Sequence, residues 1–500
     1  MGIYHVMDYV SLAMLLWCID FVFECRNDCE SSAWAIVAYC DDPIEADSFC
    51  RSGQFARVLM SHVFPRHSHI SAPIAVSGEG CYLIDSNGKR YLDGSGGAAV
   101  SCLGHNDADV KAAIMGQLDN LAFAHTGFFS SEPAEALADG LAAAAPGALN
   151  RVYFVSGGSE AVEAALKLAR QYYVERGMPE KQYLIGRHQS YHGNTLGALA
   201  AGGNEWRRAQ FAPLLFGSHH IAACFAYRDQ RDDETEFTYG QRAANALEDE
   251  ILRLGKDNVM AFIAETVVGA TLGAVPAVSG YFERIREICD YYDVLLILDE
   301  VMCGMGRTGT LFAYEAEHIQ PDIVTIAKGL GAGYQPIGAF LCNDHIYQTI
   351  VDGSGFFQHG HTYLGHPTAC AAAYAVLQKM ISQNLPARVQ LMGGKLQKAL
   401  HDAFGQHPHI GDIRGRGLFL GLEFVHDRDR KTPFDPQLGI NRKIKAAAFE
   451  AGLICYPMGG TIDGKSGDHL LLAPPFILDD HHIDEIITKL STAFATTLSV

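Results

Sequence analysis

Two charged residues at the ends of apolar runs carry the first chemical signal in this sequence. Asp299 closes Val294-Leu-Leu-Ile-Leu298, and 29 residues later Lys328 closes Ile323-Val-Thr-Ile-Ala327. Short, continuous runs of branched aliphatic residues read as buried strands. An ionised carboxylate at the end of such a strand is costly unless a cation faces it. A lysine in the same setting is partly desolvated, so its pKa falls and its amine becomes a nucleophile. Glycines follow both residues, in Gly304-Met-Gly-Arg-Thr-Gly309 and in Gly329-Leu-Gly-Ala-Gly333, so each strand runs into a turn. If the two strands are neighbours, one small heterocycle can meet both groups. A carboxylate keeps a pyridine nitrogen protonated, so that the ring accepts electrons, while an amine captures an aldehyde. Those are the requirements of pyridoxal 5'-phosphate.

Two further segments supply what is left of such a ligand. Val155-Ser-Gly-Gly-Ser159-Glu160 runs from a strand through small residues into a helix. Free backbone N–H groups there and the Ser159 hydroxyl suit a phosphate. Tyr191-His192-Gly193 follows a strand and offers an aromatic ring to a flat cofactor. Each segment alone fits a plainer role: a surface lysine after a strand, a capped helix, a core tyrosine.

Gly304–Gly309 also matches the dinucleotide fingerprint G-x-G-x-x-G just after a strand, with Asp322 near the distance of a ribose-binding acid. That acid should end the next strand, whereas Asp322 begins one, and Met305, Arg307 and Thr308 suit a loop better than a phosphate turn. The nicotinamide reading is therefore the weaker one.

The elements that must position these residues alternate short apolar runs with amphipathic segments from about Val63 onward, the pattern of an α/β protein with a mainly parallel sheet. Expected strands are Arg151–Ser156, Gln182–Ile185, Met260–Ala264, Val294–Leu298, Ile323–Ala327 and Ile337–Leu341, with helices at Glu160–Tyr173 and Tyr281–Tyr291. After about residue 385 come a long helix, short strands around Gly417–Phe424, another helix and a closing helix after Asp479. The expected organisation is an N-terminal extension over 1–60, a first part of a small domain over 61–95, a large cofactor domain over 96–384 and a small α+β domain over 385–500.

The chain has 500 residues, 48% of them hydrophobic, and a formal charge of −19. That balance excludes a phosphate-backbone partner, which needs a basic stripe. Residues Tyr9–Cys18 form an apolar run between Asp8 and Asp20 that is too short for a membrane span and lacks the positive start of a signal peptide. Among the 13 cysteines, Cys25 and Cys29 lie four apart without a second matched pair at ligand spacing, so no metal is expected. Most other cysteines sit singly in apolar runs, which points to a reducing, cytoplasmic compartment.

With the strand-end Asp299-Glu300-Val301, then G-M-G-R-T-G, then Ala327-Lys328-Gly-Leu-Gly-Ala-Gly333, together with the Ser159 and Tyr191 segments, the chain resembles the class III pyridoxal-phosphate aminotransferases over roughly residues 65–498. The resemblance implies PLP fold type I: a large domain with a mostly parallel seven-stranded sheet, a small α+β domain, and a homodimer or dimer of dimers with shared active sites. It makes Lys328 the Schiff-base lysine and proton shuttle, and Asp299 the partner of the ring nitrogen. Val301 and Tyr191 cover the two ring faces, Gly158 and Ser159 hold the phosphate, and Thr362 reaches the phosphate from the neighbouring chain. His192 and Glu265 join the cofactor set, Arg414 clamps a substrate carboxylate with Arg416 as its rival, and G-M-G-R-T-G is an interface loop. The implied reaction is a ping-pong transfer from an amine or amino acid to a keto acid, through pyridoxamine phosphate.

Departures from the family pattern bear on the substrate. Glutamate-using members often carry an acid five residues after the family glutamate, where this chain has Ala270, and a glutamine where it has Met302. Both features favour an ω-amino acid or amine:pyruvate branch. Small residues over Asp93–Ser101, in place of a bulky aromatic wall, suggest a roomy pocket. The alternatives are a lyase or racemase of the same family, a 2-oxoglutarate-using diamine or ornithine-type transaminase, and a cofactor-binding subunit that has lost turnover.

Overall fold

The computed structural model describes residues 62–68 and 70–498, so the extension expected over 1–60 and its cysteines lie outside the described residues. The described residues divide into one unit that ends at Ile74 and a second that begins at Ala75. The described part of the first unit carries turns and bends only.

The second unit opens on an antiparallel meander of Ala75–Glu79 (β1), Tyr82–Asp85 (β2) and Arg90–Asp93 (β3). The large sheet follows. Its strands are Leu149–Val155 (β4), Tyr183–Arg187 (β5), His219–Ile221 (β6) and Val259–Glu265 (β7). After a short hairpin of Val267–Val268 (β8) and Val275–Pro276 (β9) come Leu295–Asp299 (β10), Ile323–Ile326 (β11) and Gly338–Asn343 (β12). The order is β4-β12-β11-β10-β7-β5-β6. Only β12 runs antiparallel to its neighbours β11 and β4.

Strands β7, β10 and β11 are buried from end to end, as parallel strands covered on both faces must be. Their side chains alternate between two cores. Ile263, Leu295 and Ile297 face the helix Gly158–Glu175, with Ala161, Ala165 and Leu168. Phe262, Leu296 and Leu298 face the opposite layer, with Leu247 of Glu236–Leu254 and Ile285 of Tyr281–Tyr291.

The C-terminal segment adds Ile410–Arg416 (β13), Phe419–Phe424 (β14), Leu453–Ile454 (β15), Tyr456–Gly459 (β16) and Asp468–Leu472 (β17). Strands β13-β14-β17-β16 form an antiparallel sheet, while β15 adds in parallel to β3. The long helix is Leu385–Phe404 and the closing one Asp480–Thr497.

Three points differ from the sequence reading. The first helix starts at Gly158 rather than Glu160, because the glycine pair can enter the turn directly. The edge strand β6 is a three-residue His219-His220-Ile221, too short to show a period. The reversal of β12 is set by pairing with β4, a contact nearly 190 residues distant in sequence that no local pattern encodes. The eight described cysteines are all free and buried, and among the described residues no helix is long and apolar enough to cross a membrane.

Candidate active site

The C-terminal ends of β10, β7, β5 and β11 converge, and a ligand crevice belongs there in an open α/β sheet. Asp299 ends β10 beside Glu265 at the end of β7 and Thr325 in β11. Lys328 follows β11 by two residues and starts a tight turn with φ +48°. The strand-end pair expected from the sequence therefore lies on adjacent strands.

Asp299 is buried, at 4% exposure. One carboxylate oxygen accepts a hydrogen bond from the backbone N–H of Val301 at 3.0 Å, and the same oxygen lies 3.4 Å from the Thr325 hydroxyl. The other meets His192 Nδ1 at 2.7 Å. His192 is itself buried, and its Nε2 has no partner among the described residues. Backbone, hydroxyl and imidazole thus fix one carboxylate in orientation.

Lys328 is half-buried and its Nζ makes no hydrogen bond to a described residue. Burial lowers its pKa to about 8, against the opposing pull of Asp299, which favours the ammonium. That balance leaves a lysine with a sizeable neutral fraction near neutrality.

Glu265 Oε1 accepts from the backbone N–H of Tyr191 at 3.2 Å. Arg187 ends β5, donates to the Glu265 carbonyl at 2.5 Å and lies 3.7 Å from Oε2, which itself has no hydrogen-bond partner. Burial raises the Glu265 pKa, with His192 and Arg187 opposing it.

The helix Gly158–Glu175 begins without a side-chain cap, so its first N–H groups remain available to an anion. A Cβ on Gly158 would come within 2.6 Å of Val301 Cγ1, so this helix start is pressed against Val301. The Ser159 hydroxyl donates to Asn194 Oδ1 at 2.9 Å and accepts from the Asn194 backbone N–H at 3.1 Å. Asn194 ties the Tyr191-His192-Gly193 turn to the helix start, and Gly193 is needed there because a Cβ would lie 2.6 Å from Ser159 Oγ.

Two expected residues lie outside this hydrogen-bonded cluster. Thr362 is exposed, in the turn before the helix Pro367–Ser382, next to His361, whose Nε2 lies 2.9 Å from the Ser156 hydroxyl. Arg414 is buried and already engaged: it meets Glu423 at 2.7 Å, Asp412 at 3.0 Å and the Gly273 carbonyl at 2.9 Å, and donates to the Leu272 carbonyl. Its rival Arg416 pairs with Glu317 at 2.7 Å. With Ala270 in place of an acid, Arg414 takes its carboxylate from Glu423 on the facing strand, a partner that the sequence reading missed.

The G-M-G-R-T-G stretch is a turn, not a strand-to-helix phosphate site. Arg307 is buried and donates to the carbonyls of Leu418 at 3.1 Å and Pro474 at 2.6 Å, while Thr308 donates to that of Cys303 at 3.1 Å. Asp322 is held by Arg286 and the backbone of Leu296, at 2.8 and 2.7 Å, and is not available to a ribose. Arg187 and Asn194 were also missed. Arg187 carries the same signal as Asp299, a charge closing an apolar strand, and Asn194 is the next residue of a motif already singled out.

The residues fit a ring with a basic nitrogen, an aldehyde and a phosphate. A carboxylate is oriented at one strand end, an amine with no hydrogen-bond partner among the described residues stands at the next, and an uncapped helix start closes the row.

Comparison with known proteins agrees with that chemistry. The family model for class-III aminotransferases matches residues 63–494. An uncharacterised aminotransferase of Schizosaccharomyces pombe is 44% identical, over 85% of this chain and 93% of its own length. Gamma aminobutyrate transaminase 3, chloroplastic, of Solanum lycopersicum is 37% identical over 86% of this chain and 82% of its own. The crystal structure of an omega transaminase from Pseudomonas jessenii in complex with PMP superposes with a TM-score of 0.83 at 32% identity, covering 89% of this chain and 98% of that one.

Proposed function

Because the chain belongs to the class III aminotransferases, fold type I enzymes that work with pyridoxal 5'-phosphate, we propose that it moves an amino group from an ω-amino acid or amine donor to a keto acid such as pyruvate. The observation that carries the reading is the pairing of an oriented Asp299 with an amine at Lys328 on the adjacent strand end. The absence of an acid at Ala270, with Arg414 held by Glu423, supports the pyruvate side over a glutamate-gated site.

When bound, the cofactor supplies an electron sink for a carbanion next to the transferred nitrogen. Lys328 would hold it through its amine and, once that amine is free, would take the proton from the donor's amine-bearing carbon. In the second half-reaction Lys328 returns a proton to the carbonyl carbon of the keto acid. Asp299 holds the ring-nitrogen proton, and His192 fixes the carboxylate that does so. Gly158 and Ser159 receive the phosphate, with Thr362 of a neighbouring copy completing that site. Val301 and Tyr191 would bound the ring faces, and Glu265 would join the residues that hold the cofactor. Arg414 serves a substrate carboxylate only by exchanging its present partners.

In this reading residues 96–384 form the cofactor domain, and residues 61–95 join 385–500 in the small domain. Exposed Tyr363 lies in the Thr362 turn, against the ring of exposed Phe123 at 5.7 Å, with exposed Phe128 and Phe129 in the same segment as Phe123, and a homodimer would cover them. Eight free buried cysteines suit a cytoplasmic location.

The test is a substrate matrix. β-Alanine, 1-phenylethylamine and ornithine are each paired with pyruvate and 2-oxoglutarate, and alanine or glutamate formation is followed. Turnover of β-alanine or 1-phenylethylamine with pyruvate is expected. Turnover with 2-oxoglutarate alone would move the enzyme to the diamine or ornithine-type branch. Ammonia release or racemisation without any keto acid would replace transamination with elimination or racemisation.

A further inference from the structure

A keto acid always brings a carboxylate into the pocket, and in a dry site that charge needs a cation with free donors. The arginines around the site are mostly engaged. Arg414 has two carboxylates and two carbonyls, and Arg416 has Glu317. Arg187 has Glu265, Arg208 has the carbonyls of Leu199, Ala200 and Gly202, and Arg307 has two carbonyls on Nη1, although its Nε and Nη2, like Arg187 Nε, are buried without a partner among the described residues.

Arg207 differs. Its guanidinium carbon lies 4.5 Å from the centre of the Tyr191 ring and 5.6 Å from that of Trp206. Its Nε is buried without a partner, and its guanidinium makes no hydrogen bond or ion pair to any described residue. Its backbone is fixed, since Asn204 caps the short helix Glu205–Arg208 by accepting from the Arg207 N–H at 3.2 Å. Asn204 is anchored in turn to Gln189, two residues before Tyr191, at 2.7 Å. Its charge reaches the reacting amine, because it lowers the proton affinity of Lys328. A fork of donors is therefore held against the aromatic ring assigned to the cofactor, and none of the described residues accepts from it.

Resting on the transaminase reading above, we infer that Arg207 is the carboxylate-binding residue of the substrate pocket, gripping keto acids and amino acid donors where Arg414 is committed to Glu423. Both half-reactions use one pocket, so Arg207 acts on every keto acid but only on those donors that carry a carboxylate.

The experiment compares wild type, Arg207→Gln and Arg414→Gln holoenzymes. Single-turnover half-reactions with β-alanine and with 1-phenylethylamine give the ratio of the two kcat/KM values, and calorimetry gives the Kd of propionate, an unreactive monocarboxylate. Charge-assisted hydrogen bonds of this kind correspond to a loss on the order of 10- to 100-fold. For Arg207→Gln the β-alanine to 1-phenylethylamine ratio should fall by that factor and propionate binding should weaken in parallel, with Arg207→Lys recovering part of both. A parallel fall for both donors with an unchanged propionate Kd would make Arg207 a brace for Tyr191 and overturn the inference. So would a ratio that falls in Arg414→Gln instead, or a wild type that binds no propionate. A wild type that transaminates no donor overturns the functional reading itself, a result visible before any variant is compared.

Discussion

Lys328 is the residue whose titration follows most directly from the geometry. Burial and the opposing charge of Asp299 set its pKa at about 8. At pH 7 an amine of pKa 8 is about one-tenth neutral, whereas an exposed lysine near 10.4 is neutral in roughly one molecule in 2,500. The site therefore raises the reactive fraction by about two orders of magnitude. Asp299→Asn removes the strongest of the nearby charges that favour the ammonium, so the amine should titrate lower still. An opposite charge at close range holds a pKa by about one unit or more, and the midpoint should fall by that amount. The assay is competitive labelling of the apoenzyme with trace acetic anhydride between pH 6 and 10, reading the Lys328 peptide by mass spectrometry against surface lysines. Wild type should give a midpoint about 8, and Asp299→Asn a lower one. A wild-type midpoint among the surface lysines, or a rise in the variant, would refute the reasoning.

Three other outcomes follow. Gly158→Ala puts a methyl group 2.6 Å from Val301 Cγ1; overpacking of that kind costs about 1–3 kcal/mol, seen as a lower holoenzyme Tm and a roughly tenfold weaker Kd for pyridoxal phosphate. Glu423→Gln leaves Arg414 and Arg228 facing an uncharged amide where each now meets a buried carboxylate, and chemical denaturation should show a loss of about 3–5 kcal/mol. Glu300 is fully buried, which pushes its carboxyl up to about 7 despite bonds from Thr266 and the backbone of Ala313 and Tyr314. The folded chain then holds a proton that the unfolded chain has lost, so stability should fall as pH rises from about 4.5 to 7 and level off above, by up to about 3 kcal/mol. Denaturation midpoints of wild type and Glu300→Gln across that range test it, and the variant should lose this slope.

The residues proposed to do the chemistry are legible because each closes a buried apolar run. Asp299 and Lys328 stand out as charges where burial forbids charges without purpose, and the parallel strands that carry them read as unbroken aliphatic runs. Arg187 obeys the same rule at the end of β5. What stayed hidden depends on pairing across long sequence distances. Nothing local says that β12 reverses, that Glu423 faces Arg414 across a hairpin, or that Asn194 folds back onto Ser159. Arg207 lies in a short helix whose sequence is ordinary, and what marks it is a guanidinium that bonds to none of the described residues.

The central claim is that one amine, Lys328, bonds the cofactor. Reducing the yellow holoenzyme with borohydride and mapping the pyridoxyl group by peptide mass spectrometry tests it directly. The account predicts a single modified peptide carrying the group on Lys328; modification of another lysine, or none at all in a coloured preparation, would contradict it.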